Sequence, residues 1–363
     1  MNHGKTKILV LIGLTLALGI FLVGYNGARA VSAAPVPQTT PQETPEIPYF
    51  AEWAASPHAD AESEAFIHWN EEESKTIPEG CAKCHSTIGF KDFVGADKSA
   101  AGKVDKPAAI GTTVTCTACH NSGTEAMSTV SFPSGAELTG LGNEAVCLTC
   151  HQGTAAGASV DAQIEKVKPA NDDTPMPNSQ EKPGITFTNI HYFAAAVSRY
   201  GKEVAGGYQY PDKQYDAMFD HVIGVENCQD CHDSHSLELK VDVCADCHTG
   251  ATTVEGVRKI RSVASLVDYD GDGNTTEGMK DEVDGVRAVL LTALQSYSKD
   301  VAKAPIAYDP AAYPYFFNDK NSNGKADADE AVFPNQYNSW TARMAKAAFN
   351  FQTATKDPGA YAH

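Results

Sequence analysis

Basic residues are in short supply in this 363-residue chain. Lys and Arg number 28 against 46 Asp and Glu, a formal net charge of −18. That balance excludes nucleic acid as a partner, and anionic membrane surfaces would repel the chain. Long aliphatic runs are also scarce: Ile8 to Tyr25 is the one clear case. Stretches such as Gly95–Gly111 and Gly123–Gly142 are dominated by Gly, Thr, Ser and Ala. Segments of that composition bury too little apolar surface to offset the entropy of ordering them, so something other than side chains has to supply much of the core. Cysteine is absent after Cys247, and after His248 the only histidine is His363.

What is present is concentrated in one pattern. All ten cysteines fall in five C-x-x-C-H signatures, Cys81-Cys84-His85, Cys116-Cys119-His120, Cys147-Cys150-His151, Cys228-Cys231-His232 and Cys244-Cys247-His248. C-x-x-C-H is the attachment signature of c-type haem: two thiols bond the porphyrin edge and the adjacent histidine reaches the iron. With 12 histidines in 363 residues, a chance histidine after all five pairs has odds on the order of 10⁻⁸. Zinc ribbons also use C-x-x-C pairs but give no reason for that histidine, and vicinal disulfides give none either.

On these five motifs, and on the C-x-x-C-H-D-S-H run at Cys228–His235, the chain resembles the multihaem c-type cytochromes, in particular the bis-histidine, class III-like group, over roughly residues 50–250. The resemblance implies five covalent haems, and porphyrins that act as the missing core.

The N-terminus carries Lys5 and Lys7, the apolar run, and Ala28-Arg29-Ala30. This reads as a secretory signal peptide or an uncleaved membrane anchor over residues 1–30. With no cysteine near the cleavage site, a lipid-anchored lipoprotein is not expected. Residues 31–48 are a Pro/Thr-rich linker. Phe50–Asn70 has a helical pattern containing His58 and His68, which ten residues apart on one helix would point about 80° apart and so serve different irons. Lys168–Pro183 is a polar, proline-rich loop. Asn189–Tyr200 reads as a short helix with His191 near its start, and His221 follows seven residues before Cys228. His235 lies three residues after His232, on a similar side of any continuous turn, so it is expected on a neighbouring haem. His58, His68, His191, His221 and His235 then match the five motif histidines His85, His120, His151, His232 and His248 in number, with His363 set aside. That parity argues against an open catalytic iron.

Beyond Gly250 the character changes. Asp319 to Glu330 fits the EF-hand loop D-x-N-x-N-G-x5-E: Asp319, Asn321, Asn323 and Glu330 by side chain, Lys325 by its carbonyl and Asp327 through water would ligate Ca²⁺, with Gly324 at the turn. Asp268-Tyr-Asp270-Gly-Asp272-Gly273 starts the same way but has Met279 at the twelfth position; Glu277 or Glu282 replaces it only in a remodelled loop. Helical patterns follow both loops, at Val283–Ser298 and Gln336–Phe351. The aromatic cluster Tyr313, Tyr315, Phe316 and Phe317 is suited to packing this part onto the haem region.

The expected fold is therefore mainly α with extensive irregular loops, a haem-packed domain at 49–250 and a small helical module with calcium-type loops at 251–363. The expected function is electron transfer outside the cytoplasm, in the periplasm, at the cell surface or in the medium. Redox proteins are the expected partners. Homo-oligomers or an extracellular haem filament, and anchoring through the N-terminus, remain open. The rival reading is a multihaem reductase, for which an open haem is needed; no C-x-x-C-K variant is present.

Overall fold

The computed structural model describes residues 46–178, 180–261 and 265–363. The expected leader and nearly all of the linker lie outside the described residues. Pro48–His363 forms one compact unit, built mostly of short helices and loops. Three two-stranded antiparallel sheets are present among the described residues. None of the described helices is long and apolar enough to cross a membrane.

Two helices dominate. Met279–Asp300 carries Asp281 and Glu282 in its first turn and Lys299 in its last, charges that complement the helix dipole. Ala342–Lys356 starts at Thr341, whose Oγ1 accepts the Met344 N–H, satisfying one otherwise orphaned donor. The two helices pack on each other. With the ribbon Ile306–Tyr308/Phe316–Asn318 they form the largest core. Trp340 and Phe349 are almost fully buried there, and the Trp340 ring meets Phe187, Phe316 and Tyr337 with centroids 5.7, 5.6 and 4.9 Å away.

That core also takes in Val160, Met176, Ile185, Ile190, Val197 and Tyr208. Backbone and side-chain bonds reinforce the join: Met176 N–H donates to the Trp340 carbonyl at 2.8 Å, Tyr208 N–H to Asn350 Oδ1 at 2.6 Å, and Arg343 Nε to Asp173 at 2.7 Å. The packing therefore crosses the division expected near residue 250. Tyr315 and Phe316 are buried in it, Phe317 is buried as well, and Tyr313 is exposed.

Near the cysteine motifs the apolar clusters are small, for example Trp69, Ile77, Ala82 and Ala108, or Phe90, Val94 and Ala118. Two local expectations change. Residues 50–70 are not one helix but two short ones, Phe50–Ala54 and Glu64–Ile67, the second capped by Ser63. The helix expected from Asn189 starts only at Ala195. His191 and Phe193 before it have φ of 80° and 54°, left-handed conformations that end any helix and cost about 1–3 kcal/mol each.

Candidate haem and metal sites

Each motif closes a single helical turn. His120, His151, His232 and His248 donate their N–H to the carbonyl of the first cysteine of their own motif, at 2.8–3.0 Å. Residues i, i+3 and i+4 of such a turn share a face, so both thiols and the imidazole project to one side. That is the local reason for the C-x-x-C-H spacing. All ten thiols are free of disulfides. Among the described residues, groups of three metal-ligating atoms within 4.8 Å of one another consist of carboxylates alone, so the thiols form no zinc-type cluster.

Each motif histidine faces a second histidine. Ring centroids are 5.8 Å apart for His85 and His191, 6.2 Å for His120 and His235 and 6.3 Å for His151 and His58. They are 6.3 Å apart for His232 and His363 and 6.2 Å for His248 and His221. Imidazole nitrogen binds a metal at about 2 Å, so two rings on opposite faces of one ion have centroids about 6 Å apart. The residues fit a haem iron in each gap. Apolar side chains left exposed beside a ligand fit a porphyrin as well: Phe219 is 80% and Ile223 95% exposed next to His221.

Tautomer and charge agree with ligation. Nδ1 of His85, His151 and His232 lies 2.8, 3.0 and 3.3 Å from the carbonyls of Ala65, Phe193 and Leu237. Those acceptors hold the proton on Nδ1 and leave Nε2 for a metal. Burial, helped by His151, pulls His58 down to about 4. Burial also lowers His85, His151, His191 and His232. These rings are therefore held neutral, the ligating form.

One histidine expected as a ligand is not brought to a motif histidine. His68 is exposed and bonds Glu64 Oε1 at 2.8 Å, with its ring edge on Trp69; it faces no motif histidine across a metal-sized gap. The angular argument for it assumed a continuous helix from His58, which the chain does not form. His363, set aside in the sequence, is the histidine that stands opposite His232. Only its being a histidine hinted at this.

The motif helices touch in series. Glu79–His85 packs on Glu144–Cys150, that helix on Cys228–Cys231, and the latter on Val241–Ala245. Cys150 Sγ lies 3.9 Å from the Lys83 carbonyl, and Cys228 Sγ 3.1 Å from Glu144 Oε1. The Cys116 motif is tied in through His235, which stands between the last two motifs. Buried Glu144 accepts the Cys228 N–H at 2.7 Å and lies 3.5 Å from Arg199, bracing the third motif against the fourth.

In the Asp319–Glu330 loop, Asp319 accepts the N–H groups of Asn323 and Gly324 at 3.2 and 2.8 Å, and Glu330 accepts that of Lys320 at 2.8 Å. Asn321 and Asn323 both donate to Asp327 at 2.8 Å. Lys325 N–H donates to Asn323 Oδ1, and Gly324 has φ 78°. Asp319 and Glu330 are buried. The loop is entered from the strand Phe316–Asn318 and left through the 3₁₀ turn Phe333–Asn335, so no helix pair flanks it directly. In the Asp268 loop, Glu282 rather than Met279 accepts the Tyr269 N–H at 2.8 Å. Its other oxygen pairs with Arg261 at 2.5 Å.

Residues 65–152 match the family described as cytochrome c7 and related cytochrome c. The chain is 26% identical over 367 residues to the C-type polyheme cytochrome OmcB of two strains of Geobacter sulfurreducens, an alignment covering 82% of this chain and 43% of OmcB. It is also 26% identical over 360 residues to the C-type polyheme cytochrome OmcC of Geobacter sulfurreducens, covering 84% of this chain and 43% of OmcC. The chain thus spans less than half the length of these relatives. No solved structure matches it. The matches support a multihaem c-type cytochrome.

Proposed function

We propose, with a multihaem c-type cytochrome as the premise, that the chain is an exported electron carrier with five covalent haems, each held between two imidazoles. The observation that carries this reading is the set of five histidine pairs at 5.8–6.3 Å. The thiols of Cys81 and Cys84, Cys116 and Cys119, Cys147 and Cys150, Cys228 and Cys231, and Cys244 and Cys247 form the thioethers. The paired histidines would hold the iron. Haem iron supplies one-electron exchange between its ferric and ferrous forms.

The rest is the work of the chain. With two imidazoles at each site, a haem iron held there would have no free position for a substrate, which favours a carrier over a reductase. Imidazole on both faces also favours lower potentials than histidine/methionine ligation. The serial contact of the motif helices gives an order, from the His85 site through His151 and His232 to His248, with the His120 site held alongside by His235. The acidic surface favours basic or cation-bridged redox proteins as partners. Ca²⁺ at Asp319–Glu330 is structural, neutralising buried carboxylates; outside the cell a dissociation constant of about 10⁻⁴–10⁻³ M suffices.

The test is the intact mass and pyridine haemochrome of the exported protein. A mass excess of five haems and low-spin spectra are expected. A haem-free, zinc-loaded native protein overturns the reading, and a substantial high-spin fraction overturns the carrier assignment in favour of a reductase.

A further inference from the structure

His363 differs from the other ligand histidines in what its second nitrogen touches. His85, His151 and His232 turn Nδ1 to neutral backbone carbonyls. His363 turns Nδ1 to a carboxylate, with Asp357 Oδ2 at 2.9 Å and Oδ1 at 3.1 Å. The Asp357 side chain is only 1% exposed. Its Oδ1 also accepts the Gly359 N–H at 3.0 Å, a bond that holds the carboxylate independently of the ring. The segment after the helix Ala342–Lys356 coils back on itself: Ala360 N–H donates to the Asp357 carbonyl, and Ala362 and His363 donate to Gly359. Gly359 leaves room for the ring, since a Cβ there would stand 2.5 Å from His363 Cε1. This turn, the glycine and the carboxylate together bring the His363 ring opposite His232.

A carboxylate that accepts the Nδ1 proton makes imidazole a more basic ligand. A fixed negative charge in a water-poor site also favours the extra positive charge of ferric over ferrous iron. We propose that His363 is the distal ligand of the haem at Cys228-Cys231-His232, and that Asp357 is a positioning residue that lowers the reduction potential of that haem. This inference rests on the five-haem reading above.

The experiment uses the exported holoprotein and its variants, with haem content measured on each. Loss of covalent haem from the unmodified protein would defeat the five-haem reading itself; the outcomes below presuppose five haems. His363→Ala is expected to turn one haem of five high-spin, and added imidazole to return it to low-spin. Gly359→Ala is expected to do the same by displacing the ring, and His68→Ala to change nothing. Asp357→Asn is expected to stay low-spin while one component of the potentiometric titration moves to higher potential, a readout that a merely structural role would leave in place. The ligand assignment is overturned if His363→Ala remains low-spin throughout or if His68→Ala yields the high-spin haem. The role of Asp357 is overturned if the Asp357→Asn titration superimposes on that of the unmodified protein.

Discussion

The rings of His85 and His191 face each other with centroids 5.8 Å apart and planes 78° from parallel. His120 and His235, at nearly the same separation, lie only 11° from parallel. Two imidazoles on one haem iron would set the symmetry of its d-orbitals, so haems held by these two pairs would differ magnetically even with identical ligands. Electron paramagnetic resonance of the oxidised protein is expected to contain a highly anisotropic low-spin signal from the first site and a rhombic one from the second. His191→Ala should remove the anisotropic component and add a high-spin one. A single uniform rhombic signal for all haems would contradict these orientations.

Phe316 sits where the ribbon, the C-terminal helix and residues of the 155–210 region meet, with Phe187, Trp340 and Phe351 around it. Phe316→Ala should lower stability by about 3–5 kcal/mol with five haems still attached. Denaturant unfolding followed by tryptophan fluorescence measures this; a loss well under 1 kcal/mol would mean that the core is not a stabilising joint.

Calcium should raise the melting temperature of the unmodified protein, by a free energy of about 2.7 kcal/mol when the ion is at a hundredfold excess over its dissociation constant. Glu330→Gln removes a buried carboxylate from the Asp319 loop and should abolish most of that increment while leaving haem spectra alone. Calorimetry that detects no calcium binding at millimolar concentration would reduce the loop to a set of internal hydrogen bonds.

Lys356 is buried with its ammonium 4.0 and 4.1 Å from the ring centroids of Tyr315 and Tyr192. Burial lowers its pKa from 10.5 to about 8. Between those values the unfolded chain holds a proton that the folded one has lost, so stability rises with pH across that window. Below about 8 the full penalty of a buried charge is present. Lys356→Met should therefore be the more stable protein at neutral pH, with its advantage shrinking between pH 8 and 10.5. An advantage that stays flat across this range would show that the two tyrosine faces compensate the charge, a contribution of about 2 kcal/mol when desolvated.

The motif cysteines and their adjacent histidines are legible in the sequence because C-x-x-C-H is completed within one helical turn. Its geometry depends on nothing further away. The spacing of acidic and amide side chains from Asp319 to Glu330 is likewise a local pattern, as is the scarcity of aliphatic runs around the motifs. The second histidine of each pair is a different matter. His68 and His363 are equivalent as letters, and counting alone favoured His68. Only the tertiary structure separates their positions, because a one-turn helix leaves His68 in solvent against Glu64. The turn after Lys356, the bare Gly359 and the buried Asp357 meanwhile carry His363 to His232 from the far end of the chain. Likewise Glu282 rather than Met279 reaches the backbone of the Asp268 loop, and one core crosses residue 250. Those outcomes depend on long-range packing, which no local spacing encodes.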